Sequence, residues 1–384
     1  MVGYLPATDK DSAMRQFPAS PITALIDSTP RYNLGESMGR DATVAELLGP
    51  EDLAALAGVR LGYGTSAGEE GLRAQVAARH GISADQVLIT AGAAAALFLA
   101  ALLCGDGEIV VGQPCYPPML AALRGTGAPL VTVRSQFGDG YRIDLDAFRA
   151  ALSPRTQLAM FASPQNPSGV PITPGEIEQM LAAMSRTCPG ALLLIDETYR
   201  EATYGDAPAA GTFAGLSPQL LTCASLAKAF GTPGLRIGWL TVPDRDLYEQ
   251  FRLAKFNTSL ACGTLDEFLA GKVLARADEV LARRAAMLAD GRGIVERWIK
   301  AHTGRLDWLR PQAGAFCCLR LDPGSFGPGA VDRFHRRLAE RQTLVAPGPW
   351  FHDSAQVFRV ALAYGPAADL QQGLDINGAA LEAG

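Results

Sequence analysis

The sequence predicts an α/β protein, with a mostly parallel seven-stranded sheet between helices in a large domain and a smaller α+β domain after it. Two observations carry this. Between residues 87 and 242, seven short apolar or β-branched runs alternate with helical stretches, and that alternation is the pattern of a parallel sheet covered on both faces. After a long helical stretch the texture changes to strands surrounding a single helix, the pattern of an α+β unit. The expected organisation is an N-terminal arm that forms part of the small domain (1–45), a large domain (46–285) and a C-terminal small domain (286–384).

In chain order, residues 1–30 read as an irregular arm, because Pro6, Pro18, Pro21 and Pro30 interrupt any helix. Residues 32–37 read as a short strand ending in a turn, and 41–48 as a short amphipathic helix. The glycines of Leu61-Gly62-Tyr63-Gly64-Thr65 make a turn before a helix around Leu72 and Arg73. The seven strands are expected at 87–90, 108–112, 130–133, 158–162, 192–196, 220–224 and 237–242. Helices are expected at 93–103, 117–125, 145–152 and 174–186, then at 244–255 and as one long stretch over 266–303. Strands at 306–309, 315–321, 343–345 and 357–363, with a helix near 331–341, complete the small domain. No internal repeat or low-complexity linker occurs.

A net charge of −5 disfavours nucleic acid or an anionic membrane surface as the main partner. The longest apolar stretch, 91–104, is too short to span a bilayer. No charged segment followed by an apolar one marks a secretory signal, and seven cysteines without C-x-x-C spacing fit reduced thiols, so a cytoplasmic location is expected. The four histidines form no metal-like cluster, so no metal site is expected.

Several residues point to chemistry on their own terms. Lys228 lies between the end of a strand and a glycine-rich turn, where an amine is held and partly desolvated, and desolvation favours the neutral, nucleophilic form. Ser225 and Arg236 flank it and can reach one anion. Thr90-Ala91-Gly92-Ala93-Ala94 ends a strand and opens a helix, whose first amides point at an anion with the macrodipole behind them. Leu193-Leu194-Ile195-Asp196-Glu197-Thr198-Tyr199 places a carboxylate at the end of a buried strand, where a charge needs a partner. A nucleotide-hydrolase reading of that acid fails, because no G-x-x-x-x-G-K-[ST] precedes it. Arg359, within Phe358-Arg359-Val360-Ala361-Leu362, offers a fork that matches a carboxylate.

Taken together, the stretch from Ser225 to Gly238 has the pattern S-x-x-K-x-x-G-x-x-G-x-R-x-G, and it resembles the pyridoxal phosphate (PLP) lysine motif of the fold type I, class I/II aminotransferases. Asn166-Pro167-Ser168-Gly169 resembles the family's N-P-x-G, and Pro347-Gly348-Pro349-Trp350-Phe351 its P-G-x-x-F turn. The resemblance covers roughly residues 32 to 365. It implies Lys228 as the Schiff-base lysine and general base, and Asp196 on the pyridine nitrogen, where it keeps the ring an electron sink. It further implies Asn166 and Tyr199 as donors to O3′, and Tyr116 stacked on the ring. Gly92, Ala93, Ala94, Ser225 and Arg236 would hold the phosphate, and Arg359 with Asn166 the substrate. Tyr63 would reach the cofactor phosphate of a neighbouring subunit, so a homodimer with composite sites is expected.

Departures also show. Ala94 and Ala95 stand where the family commonly has Ser or Thr and Glu or Gln, which leaves the phosphate fewer side-chain donors. Gly35 and Glu36 lie in a segment that approaches the substrate in related enzymes. Glu36 reads either as a partner for a basic substrate group or as a solvated turn carboxylate. The implied activity acts on an amino acid through an external aldimine and an α-carbanion, and transamination to a keto acid is the first reading. Cyclisation, β- or γ-elimination and carbon–carbon bond formation use the same residues and stand as alternatives. Amino acids and keto acids are the expected small-molecule partners. A PLP-binding DNA regulator is disfavoured by the acidic charge.

Overall fold

The computed structural model describes residues 2–4 and 19–382. Pro6 and Pro18 of the expected arm lie outside the described residues. Near the N-terminus are two short strands, β1 (Val2–Tyr4) and β2 (Tyr32–Asn33). The seven expected strands follow as β3 (Val87–Thr90), β4 (Glu108–Gln113), β5 (Leu130–Arg134), β6 (Thr156–Ala162), β7 (Leu192–Asp196), β8 (Leu220–Ser225) and β9 (Gly238–Thr241). They form a sheet in the order β1-β5-β4-β6-β7-β8-β9-β3. Strands β4 to β8 pair in parallel, while β9 runs antiparallel to both its neighbours. The expectation of an irregular arm is corrected at β1, which pairs antiparallel with β5 and gives the sheet an eighth strand, and at the short helix Ala24–Asp27, which fits between Pro21 and Pro30.

The apolar runs are strands because both faces of the sheet are covered, and alternate residues serve opposite faces. In β7, Leu194 packs with Leu88, Val111, Met160 and Leu221 beneath the helix Ala93–Leu103. Its neighbours Leu193 and Ile195 pack with Val110, Val133, Phe148 and Met180 beneath Leu145–Ala151 and Pro174–Thr187. The last two of these helices carry their own start signals. Thr173 and Glu176 form a capping box, with Pro174 at the first turn, and Asp144 accepts from the Ala147 amide.

Strands β10 (Leu306–Leu309), β11 (Phe316–Leu321), β12 (Thr343–Leu344), β13 (Ala346–Pro347) and β14 (Val357–Ala361) make up the rest. The order β10-β11-β14-β13 is an antiparallel sheet. Strand β12 pairs in parallel with β2, so the N-terminal segment completes this smaller unit. Cys317 and Cys318 face opposite sides of β11 and belong to separate apolar clusters.

Three expectations shift. The long stretch over 266–303 is two helices, Thr264–Ala275 and Ala277–Ala301. Arg276 leaves helical geometry at φ −115 and sends its guanidinium to the Leu47 carbonyl. The helix expected at 41–48 shortens to Val44–Leu47, because its Thr43–Glu46 capping box fixes a later start. Helices Pro50–Ala57 and Ala367–Glu382 have no counterpart in the reading of the sequence. Among the described residues no helix is long and apolar enough to cross a membrane, and no cluster of ligating side chains could hold a metal ion.

Candidate active site

In a sheet of this kind, the loops that follow the C-terminal ends of the parallel strands converge on one rim. Strand β3 leads to Gly92, β6 to Asn166, β7 ends at Asp196 and β8 leads to Lys228. Asp196 lies beside Ala162 of β6 and Cys223 of β8, in the middle of the sheet. Its Oδ1 accepts from the Thr198 amide at 3.0 Å, and it forms no ion pair among the described residues. Burial pushes the carboxyl up, against hydrogen bonds from Thr198 and Cys223 and the field of Lys228. A buried carboxylate in this state calls for a cationic partner. The adjacent acid is already satisfied: Glu197 accepts from the Thr212 hydroxyl at 2.7 Å and the Phe213 amide at 2.6 Å.

Lys228 is largely buried, and its Nζ donates to the Ser37 hydroxyl at 2.9 Å. Burial holds the amine down at about 8, against the raising field of Glu36 and together with repulsion from Arg359 and Arg236. Ser37 also hydrogen-bonds the Tyr199 phenol, whose pKa burial pushes up. Tyr199 sets its ring edge-on against Phe316 at 4.9 Å. Tyr116 caps the helix Pro117–Thr126 and lies within the fields of Asp196, Arg236, Arg359 and Glu36, which puts it at the centre of the group.

Arg359 is fully buried in β14 between the rings of Phe316 (5.2 Å) and Phe351 (4.8 Å). Its Nη1 donates to Asn166 Oδ1 at 2.7 Å and its Nη2 to the Gly35 carbonyl at 2.5 Å, while Nε has no partner. No carboxylate pairs with it among the described residues, so a buried guanidinium awaits an anion. The contact also orients Asn166, since it uses the amide oxygen and leaves the amide nitrogen as a donor.

A second anion position forms where β3, β8 and β9 meet. Gly238 lies beside both Thr90 and Ser225. Gly92 has φ +76, a conformation that favours glycine, and its bare Cα lets the Arg236 guanidinium lie close, where a Cβ would stand 2.7 Å from Nη2. Arg236 itself sits in the left-handed region at φ 49, an unusual conformation for a residue with a side chain. Its guanidinium donates to the Pro233 carbonyl at 3.1 Å and to no carboxylate among the described residues. The first amides of the helix Ala93–Leu103 have no partner within that helix. Ala93 and Ala94 thus supply backbone donors only, alongside Ser225 and Arg236.

The structure therefore brings together Gly92, Ala93, Ala94, Tyr116, Asn166, Asp196, Tyr199, Ser225, Lys228, Arg236, Arg359, Gly35 and Glu36. Tyr63 stands apart: it is 90% exposed and lines a surface cavity with Leu61, Leu260 and Leu265. Ser37 was not singled out from the sequence. A serine after a carboxylate at the end of a two-residue strand has no signature, and only the crossing of the 33–37 segment over Lys228 reveals it.

Residues 32–376 match the family described as Aminotransferase class I and II. Capreomycidine synthase of Streptomyces vinaceus is 31% identical over 89% of this chain and 85% of its own. Arginine–pyruvate transaminase of Pseudomonas aeruginosa is 28% identical over 76% of this chain and 75% of its own. The solved structure of the PLP-dependent cyclase OrfR superimposes with a TM-score of 0.82 at 26% identity, covering 97% of this chain and 100% of that one.

Proposed function

The chain belongs to the class I and II aminotransferase family, and on that footing we propose that it removes the α-proton of an amino acid at Lys228 and transfers the amino group to a keto acid. Its cofactor is pyridoxal 5′-phosphate, which when bound supplies an electron sink joined to the substrate nitrogen. The residues fit that group. Asp196 forms no ion pair among the described residues and suits a protonated ring nitrogen, and the Gly92–Ala94 amides with Ser225 and Arg236 suit a phosphate. Asn166 Nδ2 and the Tyr199 hydroxyl would serve as donors to the ring oxygen, and Tyr116 would offer an aromatic face to the ring. Arg359 grips the α-carboxylate in bidentate fashion. Lys228 Nζ takes the α-proton, and in transamination returns it to a different carbon; Ser37 holds the amine in place.

The observation that carries this reading is one amine titrating at about 8 beside two buried, unpaired charges of opposite sign, Asp196 and Arg359. Bond formation with an aldehyde requires the free amine. With the amine at about 8, the rate at which cofactor-free protein captures PLP should climb as pH rises from 6.5 to 8.5 and then level. Stopped-flow absorbance checks this; a rate still climbing tenfold per unit above pH 9 contradicts it.

A second reading, cyclisation of the amino acid, is favoured by likeness to a protein named as a PLP-dependent cyclase and to a capreomycidine synthase. Mass spectrometry of products from a panel of amino acids, with and without keto acids, separates the two. Transamination consumes an acceptor and yields a keto acid and a second amino acid. Cyclisation needs no acceptor and keeps the substrate nitrogen in a ring product.

The active unit in this proposal is a homodimer. Tyr63 and Leu61 are 90% and 82% exposed, and a phenol from a neighbouring subunit would supplement a phosphate position that has alanines at 94 and 95. Tyr63→Phe should weaken cofactor binding by about 1.5–3 kcal/mol, one hydrogen bond to a charged group. In mixed dimers with Lys228→Ala, both mutations fall on one site, so the other should regain full affinity. Mixed dimers that still bind weakly would rule out the crossing.

A further inference from the structure

One charged group at the site has no task in the chemistry above. Glu36 is 9% exposed, and its Oε2 accepts only from the amide of its own neighbour Ser37 at 3.2 Å. It forms no ion pair among the described residues, although its field reaches Lys228, Arg359, Tyr116 and Tyr364. Its backbone is pinned. The Leu34 amide donates to Leu344 and the Leu34 carbonyl accepts from Ala361, each at 2.7 Å, while Gly35 O accepts from Arg359 and the Arg40 amide donates to Ala363 at 2.8 Å. A Cβ at Gly35 would lie 3.2 Å from the Val345 backbone carbon, so the backbone of the segment is closely packed where it carries Glu36.

Charge pairing at the loaded site singles this carboxylate out. Arg236 would be met by a phosphate, Asp196 by a protonated ring nitrogen and Arg359 by the α-carboxylate. Among the described residues the cation then left near Glu36 is Lys228, and Lys228 must be neutral to act as a base. A buried carboxylate without a cation is costly, so the remaining charge has to come with the substrate.

Resting on the reading above, we propose that Glu36 receives a cationic side chain, a guanidinium or an ammonium, and that the substrates are basic amino acids. Such a molecule would place its α-carboxylate on Arg359, its α-carbon at Lys228 Nζ and its far end on Glu36. The two protein charges are kept apart rather than paired with each other, as a substrate carrying both signs requires.

The test titrates the holoenzyme with neutral and charged pairs of equal shape, L-arginine against L-citrulline and L-lysine against L-2-aminoheptanoic acid, and reads binding from the cofactor absorbance. The charged member should bind about 30-fold more tightly, as a buried charge-assisted contact implies. In Glu36→Gln, that preference should fall below about 5-fold. The comparison on the unmodified protein needs no variant, so a folding failure of Glu36→Gln leaves it decisive. Neutral isosteres that bind as well as arginine and lysine, in a holoenzyme that responds to amino acids, overturn the Glu36 assignment alone. A preference that survives in Glu36→Gln overturns it too, and means Glu36 only balances Lys228. No response to any amino acid overturns the underlying reading and this one with it.

Discussion

Lys228→Ala should lose turnover by at least about 10⁴-fold, since it removes both the group that holds the cofactor and the base that moves the α-proton. The fold should not suffer. In the absence of cofactor Lys228 makes one hydrogen bond, to Ser37, and its ammonium is held in an environment that depresses it to about 8. Removing a desolvated charge costs little, so thermal stability should stay level or rise. Rate assays with a melting curve check both halves. Turnover within about tenfold of the native protein would show that another group moves the proton.

Asp196→Asn should bind the cofactor and still lose turnover by about 10²–10³-fold. The amide keeps the shape and can accept from the Thr198 amide as Oδ1 does now at 3.0 Å, so binding changes little. What it lacks is the negative charge that holds a proton on the ring nitrogen. Burial pushes the Asp196 carboxyl up against the field of Lys228, and a cation in direct contact would reverse that push. Cofactor titration combined with initial rates checks the prediction. Near-native turnover would remove Asp196 from the chemistry.

Much of this was legible in the residues, for physical reasons that differ by element. Strands β3 to β8 are buried on both faces, so they read as unbroken apolar runs. A charge inside such a run, Asp196 at the end of β7 or Arg359 within β14, stands out because it must have a purpose. The role of Asp196 was implied by the family resemblance, and the structure shows the adjacent Glu197 already satisfied by Thr212 and Phe213. Strand β1 was not legible. Val2–Tyr4 is extended because β5 offers it a free edge, a tertiary circumstance that no local pattern announces. The break at Arg276 carries neither glycine nor proline, so it looked like helix interior. Glu36 was visible as a candidate, but only burial and the absence of a counter-charge separate a ligand-binding carboxylate from a solvated one.

The central claim is that one amine, Lys228, carries the cofactor and does the proton transfer. The most direct measurement is reduction of the PLP-loaded protein with borohydride, followed by digestion and mass spectrometry of the labelled peptide. Lys228 should bear the reduced cofactor, and the label should vanish from that peptide when the protein is loaded after Lys228→Ala. Label on any other lysine, or none on a protein that binds PLP tightly, would contradict the account.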